Sequence, residues 1–221
     1  MTGDPGAEVI VVDDDSSVRR ALNRLLSTPG FRVRSYGSAR DFLDQRATAP
    51  AVGCVVLDVA MPGKSGLELQ TELQQQGIRL PVVFITGHGT VPMGVQAMKH
   101  GAVDFLQKPF DSRVLLDAVR KAVASSRERS RQTSECLRLE LRFQSLSERE
   151  REVYGLLVKG LLNKQIGAEL GIVEKTVKVH RARLMEKMQA HSLAELVRMA
   201  ETLKRPPCSS AHFPSPERGP S

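Results

Sequence analysis

At 221 residues, with 41% hydrophobic and 26% charged side chains and a mean hydropathy of −0.22, the chain has the composition of a soluble globular protein with room for one large or two small domains. No apolar run approaches the roughly 20 residues of a membrane span, and the N-terminus lacks the basic, apolar, small-residue succession of an export signal, so a cytoplasmic protein without membrane association is expected. Charge is unevenly divided: residues 1–125 hold 14 Lys/Arg against 13 Asp/Glu, whereas 126–221 hold 18 against 12, which assigns any polyanionic partner to the second part.

In the first part strands and helices alternate at short spacing. Strands are predicted at Glu8–Val12, Phe31–Ser35, Val52–Leu57, Pro81–Ile85 and Ala102–Leu106, and helices at Ser16–Leu26, Ala39–Gln45, Leu67–Gln75, Val91–His100 and Arg113–Val123. Five βα units in this order predict a five-stranded, doubly wound parallel α/β sheet of the flavodoxin-like kind. The run Cys54, Val55, Val56, Leu57 is apolar on both faces, as a central strand covered by helices must be, and Pro62-Gly63 ends the segment. Asp58 follows that run directly. It therefore belongs at the carboxyl ends of the strands, where open α/β sheets place their chemistry.

The loops on the same rim are chemically selective. Asp13, Asp14 and Asp15 follow the first strand, Thr86, Gly87 and His88 the fourth, and Lys108-Pro109 the fifth. Carboxylates crowded at one site repel one another and raise their own pKa values unless a cation neutralises them. Hard oxygen ligands with positions left for water suit Mg²⁺ (or Mn²⁺). In that setting Asp58 is a nucleophile toward phosphorus, the metal and Lys108 neutralise phosphoryl oxygens, and Thr86 supplies a hydroxyl hydrogen bond. Asp15 reads as the N-cap of the first helix rather than as a ligand. Cys54, Cys136 and Cys208 are odd in number, far apart and without metal spacing, so reduced thiols are expected.

These residues resemble the receiver domain of bacterial two-component response regulators, over about residues 7–125. The resemblance implies that Asp58 is the phospho-acceptor, Asp13 and Asp14 the acidic pair, Thr86 the switch hydroxyl, Phe105 the switch aromatic, and Lys108-Pro109 the strand-five lysine with its cis-proline partner. It further implies that Asp14, Asp58 and the main-chain carbonyl of Ala60 hold the metal, with Asp13 acting mainly through metal-bound water. A sensor histidine kinase would donate the phosphoryl group, and Ala60 and His88 would tune its hydrolysis.

A receiver domain at 1–125 is followed by a helical linker at 126–143, rich in Arg, Ser, Glu and Gln, with sparse Leu137, Leu139, Leu141 and Phe143 and a short segment suited to self-association. Ser147 with Glu150 forms a capping box, and four helices follow within 144–204. The first carries Val153, Leu156 and Leu157 and stops at Gly160. The second is capped by Asn163, with Ile166, Ala168 and Leu170 inward. After the Gly171 turn the third runs from about Glu174 to Met188, and the fourth from about Leu193 to Leu203. Two helices joined by a tight glycine turn form a helix-turn-helix. On its third helix Val177, His180, Leu184 and Met188 fall on one face, leaving Lys175, Lys178, Val179 and Ala182 outward, where lysine can read guanine edges and the small apolar groups thymine methyls. Lys164, Thr176, Arg181 and Arg183 lie where phosphate contacts are expected. The remaining residues, 205–221, are Pro- and Ser-rich and read as a disordered tail.

This second domain resembles the LuxR-type DNA-binding domain, and the whole chain is similar to the NarL/FixJ family of response regulators, the FixJ-like members and their relatives in aromatic-hydrocarbon catabolism above all. Val173 departs from the polar N-cap frequent in the family. The resemblance implies a phosphorylation-activated, sequence-specific transcription factor, an activator, with promoter DNA, RNA polymerase and a sensor histidine kinase as partners, and homodimerisation through the fourth helix and fifth strand. Two alternatives stand beside it. An aspartyl phosphatase of the haloacid dehalogenase type needs a second acid two residues past the nucleophile, where this chain has Ala60; a receiver acting only through protein partners would leave the basic helices without DNA.

Overall fold

The computed structural model describes residues 6–45, 52–87 and 89–204, so His88, Cys208 and the 205–221 tail lie outside the described residues. The chain divides into two compact units, one up to Arg131 and one from Gln132 onward.

In the first unit β1 (Glu8–Val12), β2 (Arg32–Tyr36), β3 (Gly53–Asp58), β4 (Val82–Thr86) and β5 (Asp104–Gln107) form one parallel sheet in the order β2-β1-β3-β4-β5. Strand alternation sends Val9, Val11, Cys54, Val56, Val83 and Ile85 to one face, packed on α1 (Ser16–Ser27) and α5 (Ser112–Gln144) through Leu22, Leu26, Leu115 and Val119. The other set, Ile10, Val12, Val55, Leu57 and Phe84, meets α2 (Ala39–Gln45), α3 (Gly66–Gln75) and α4 (Val91–Lys99) through Phe42, Leu69, Leu73 and Ala97. Every residue of β3 is buried, as its two apolar faces require. The strand order reverses between β1 and β3, so the crevice for chemistry opens at their carboxyl ends.

The second unit packs α6 (Glu148–Val158), α7 (Asn163–Leu170), α8 (Glu174–Met188) and α9 (Leu193–Lys204) around Val153, Leu157, Ile166, Val177, Leu184, Met188, Leu196 and Ala200. The expected capping box is present: the Ser147 amide donates to Glu150 Oε2 at 2.8 Å and the Glu150 amide to Ser147 Oγ at 3.3 Å. Glu150 is 3% exposed and pairs with Lys187 of α8 at 2.7 Å, which ties the start of one helix to the end of another.

Several local expectations change. Helix α5 spans 33 residues, Ser112–Gln144, so the helical linker expected at 126–143 extends the fifth helix past Val123. Its polar stretch is supported by spaced pairs such as Arg131 with Glu128 at 2.9 Å, and Leu139 is buried in the core of the second unit. Asn163 is the first residue of α7 rather than its cap: Leu162 occupies that position, its amide donating to Gln165 Oε1 at 2.8 Å. Ala168 is exposed, and Gly167 faces inward instead, where a Cβ would stand 2.7 Å from the Ile172 carbonyl oxygen. Gly171, at φ 66°, makes the left-handed turn into α8.

Candidate functional site

Asp13 comes directly after β1, Asp58 and Thr86 are the last residues of β3 and β4, and Lys108 follows β5. The parallel register thereby brings four distant positions to one rim. Lys108 Nζ lies 2.7 Å from Asp13 Oδ2 and 2.9 Å from Asp58 Oδ1. The Lys108–Pro109 peptide is cis, and the Lys108 amide donates to the Thr86 carbonyl at 2.7 Å. Asp13, Asp58 and Thr86 are 1%, 5% and 0% exposed.

Asp58 uses its other oxygen as well: Oδ2 accepts from the Ala60 amide at 2.9 Å. Burial holds the Asp58 carboxyl above the usual carboxylate range; Lys108 opposes this, and the negative Asp13 adds to it. Burial pulls the Lys108 ammonium down, but its hydrogen bonds to Asp13 and Asp58 outweigh that, so it stays protonated beyond the usual lysine range. Asp13 Oδ1 accepts from the Asp15 amide at 2.8 Å. Asp15 is the N-cap of α1, accepting from the Ser17 amide at 2.7 Å, and this bond holds its carboxyl below the usual range.

Two of the acids thus converge, while Asp14 is exposed to solvent beside them. Among the described residues no three carboxylate, imidazole or thiolate groups gather closely enough to form a ready metal site. The donor set nonetheless fits a hard cation. Two buried carboxylates share a single ammonium, which leaves negative charge uncompensated, and the oxygens of Asp14 and Ala60 stand in the adjoining loops.

Phe105 of β5 is half-buried, its ring 6.3 Å from that of Phe84. Two close backbone approaches at this rim were not read from the sequence. A Cβ on Gly66 would lie 2.2 Å from the Asp58 carbonyl oxygen, and one on Gly89 would lie 2.7 Å from Thr86 Cγ2 and 2.9 Å from Phe105 Cε1. The only sequence signal was glycine itself, in the loops following Asp58 and Thr86. Arg19 of α1 was missed too, although its Nη1 donates to the carbonyls of Asp13 at 2.6 Å and Asp14 at 2.9 Å.

In the second unit α8 sorts as its periodicity predicts. Val177, Leu184 and Met188 are buried, and His180 sits at the core edge; Lys175, Lys178, Val179, Ala182 and Arg183 are exposed, as is Lys164 on α7. Thr176 and Arg181 are half-buried, and Arg181 Nη1 donates to Asn163 Oδ1 at 3.1 Å, tying α8 to α7. Lys178 pairs with Glu174 at 3.1 Å on the solvent side. Val173 caps α8 without a side-chain hydrogen bond.

Residues 9–120 match the response regulator receiver domain family, and residues 144–200 the LuxR family of bacterial regulatory proteins. Nodulation protein W of Bradyrhizobium diazoefficiens is 51% identical over 89% of this chain and 86% of its own length. Transcriptional regulatory protein FixJ of Azorhizobium caulinodans is 49% identical over 87% of this chain and 90% of its own. Among solved structures, a low-resolution structure of the response regulator StyR is 47% identical, covering 89% of this chain and 98% of that one with a TM-score of 0.81. With a lysine joining two strand-end carboxylates in one unit and a basic recognition helix in the other, the chain belongs to the two-component response regulators with a LuxR-type DNA-binding domain, and is a transcriptional regulator rather than a turnover enzyme.

Proposed function

We propose that Asp58 accepts a phosphoryl group from a sensor histidine kinase in the cytoplasm and that this converts the protein into a dimeric, promoter-binding activator that engages RNA polymerase. The observation behind this reading is the Lys108 ammonium held against both Asp13 and Asp58. An Asp58 oxygen attacks phosphorus, the bond from phosphorus to the kinase's imidazole nitrogen breaks, and that nitrogen keeps the electron pair. Lys108 stabilises negative charge on the transferring oxygens. A bound Mg²⁺ or Mn²⁺, held by Asp14, Asp58 and the Ala60 carbonyl with Asp13 behind a water, would supply further charge neutralisation.

The phosphoryl group adds about two negative charges. Thr86 at the end of β4 then turns toward it, Phe105 follows inward, and the face of α4 and β5 changes shape as the population shifts between two arrangements. Val91, Val95 and Met98 on α4 are 82%, 48% and 49% exposed, an apolar strip suited to pairing two receivers. Dimers place two recognition helices on successive half-sites. There Lys175, Lys178, Val179 and Ala182 face bases, while Lys164, Thr176, Arg181 and Arg183 face phosphates.

Two experiments test the reading. Acetyl phosphate with Mg²⁺ should label the wild type and leave Asp58→Asn unlabelled; persistent labelling of the variant places the acceptor elsewhere. DNA fragments selected from a random pool by the phosphorylated protein should share a two-fold motif, and Lys178→Ala should bind them about tenfold more weakly or worse. Selection of no fragment would favour action through protein partners alone.

A further inference from the structure

We propose that Arg19 is a positioning residue of the phosphorylation site, its guanidinium fixing the backbone of the acid pair so that the Asp14 carboxylate is presented to a divalent cation. One nitrogen, Nη1, donates to both the Asp13 carbonyl at 2.6 Å and the Asp14 carbonyl at 2.9 Å. Asp13 has independent anchors: its amide donates to the Tyr36 carbonyl at 3.2 Å, and its carboxylate takes the Asp15 amide at 2.8 Å and Lys108 at 2.7 Å. Exposed Asp14 lies between these anchors and the helix, and Arg19 holds it through its carbonyl. A carboxylate that must meet a metal cannot be fixed by its own oxygens, so the loop around it has to be fixed by something else.

Helix stability does not account for Arg19. It sits near the N-terminus of α1, where the helix dipole disfavours a cation, and the one acid at that end, the cap residue Asp15, is engaged by the Ser17 amide. The guanidinium also lies over Gly37, past the end of β2, where a Cβ would be 3.6 Å from Nη1. It is thus bracketed between the acid-pair loop and the neighbouring strand end. Charge and position make opposite predictions here. A fixed cation beside the acids repels Mg²⁺, so by charge alone removing Arg19 tightens metal binding; removing a group that orients a ligand weakens it, by 10-fold to 100-fold for typical supporting residues.

The inference rests on Asp14 as a metal ligand, so both are tested together on the full chain, with Mg²⁺ as the probe in calorimetric titrations. Asp14→Asn should lose most of its Mg²⁺ affinity. Arg19→Gln should bind Mg²⁺ about tenfold more weakly than the wild type, and Arg19→Lys, which keeps charge and donors without the planar fork, should fall between them. Equal or tighter binding by Arg19→Gln, with Asp14→Asn impaired, overturns the positioning role. Unimpaired binding by Asp14→Asn overturns the ligand assignment itself and the inference with it. Should Arg19→Gln fail to fold, Arg19→Lys decides the matter, since an affinity equal to that of the wild type contradicts a need for the guanidinium fork.

Discussion

The Lys108 ammonium lies 2.9 Å from Asp58 Oδ1 across 50 positions of sequence, and the same nitrogen reaches Asp13. Two nearly buried carboxylates therefore depend on one cation that is 24% exposed. Replacing it with an apolar residue leaves both charges without that cation, each keeping a single backbone amide, Asp15 on Asp13 and Ala60 on Asp58. Lys108→Met is expected to lower stability by about 3 kcal/mol at neutral pH. The deficit should shrink as pH falls and the carboxyls take up protons, and millimolar Mg²⁺ should restore part of it. Urea titrations with and without Mg²⁺ measure this; a variant as stable as the wild type would mean that the trio is not coupled.

Asp58 gives a pH dependence of definite sign. Its carboxyl is held above the ordinary range, by burial first and by Asp13 second, so the native state binds its proton more readily than the unfolded chain does. Ionising it costs stability. The cost is absent below the unfolded-state value, near pH 4 as an approximate figure, and complete above the folded-state value. Asp58→Asn, whose amide oxygen can still accept from Lys108, removes that cost. In metal-free buffer the variant should melt above the wild type at pH 7, and the gap should close as pH falls toward 4. A gap of constant size across the series would assign the difference to packing instead of charge.

What could be read from the sequence follows from which interactions are local. The two-faced apolar run of β3 dictated a central strand, and its position dictated that Asp58 would stand on the active rim. The alternation of strands with short helices dictated a five-stranded, doubly wound parallel sheet, and the period of α8 separated Lys175 and Lys178 from Val177 and Leu184. Long-range contacts were hidden. The polar half of α5 remains helical partly because Leu139 enters the second core. Asp14 and Asp13 are neighbours of the same type, yet only coordinates show that one is buried against Lys108 and the other turned to solvent. Gly66 and Gly89 matter through what their missing side chains would strike, which composition does not record.

Gly89 offers a test of the link between Thr86 and Phe105. A methyl there cannot fit at 2.7 Å from the Thr86 methyl and 2.9 Å from the Phe105 ring edge, so one of these side chains or the loop itself must move. Gly89→Ala is expected to cost about 1–3 kcal/mol, the usual range for overpacking. It should also shift the Phe105 ring resonances in the unphosphorylated protein, while Mg²⁺ binding, proposed for the Asp14 side of the rim, stays within about twofold of wild type, a factor worth under about 0.5 kcal/mol. Unmoved Phe105 resonances would show that the loop yields and that Gly89 does not connect the two residues.

The start of the recognition helix invites the opposite kind of change, a gain. Val173 stands at the cap of α8 with extended backbone (φ −70°, ψ 149°) and no side-chain hydrogen bond, and its side chain is 69% exposed. Little packing is lost by replacing it, whereas a serine hydroxyl there can accept from a first-turn amide. Val173→Ser is expected to stabilise the DNA-binding unit by about 1 kcal/mol, raising its melting transition by about 4–8 °C. Because Lys175 in the first turn and Lys178 just after it would be held more firmly, affinity for a selected DNA site should rise or stay level, without a change in its salt dependence. A fall in affinity with the stability gain intact would show that the Val173 side chain itself touches DNA, through a thymine methyl or a sugar face that serine cannot replace.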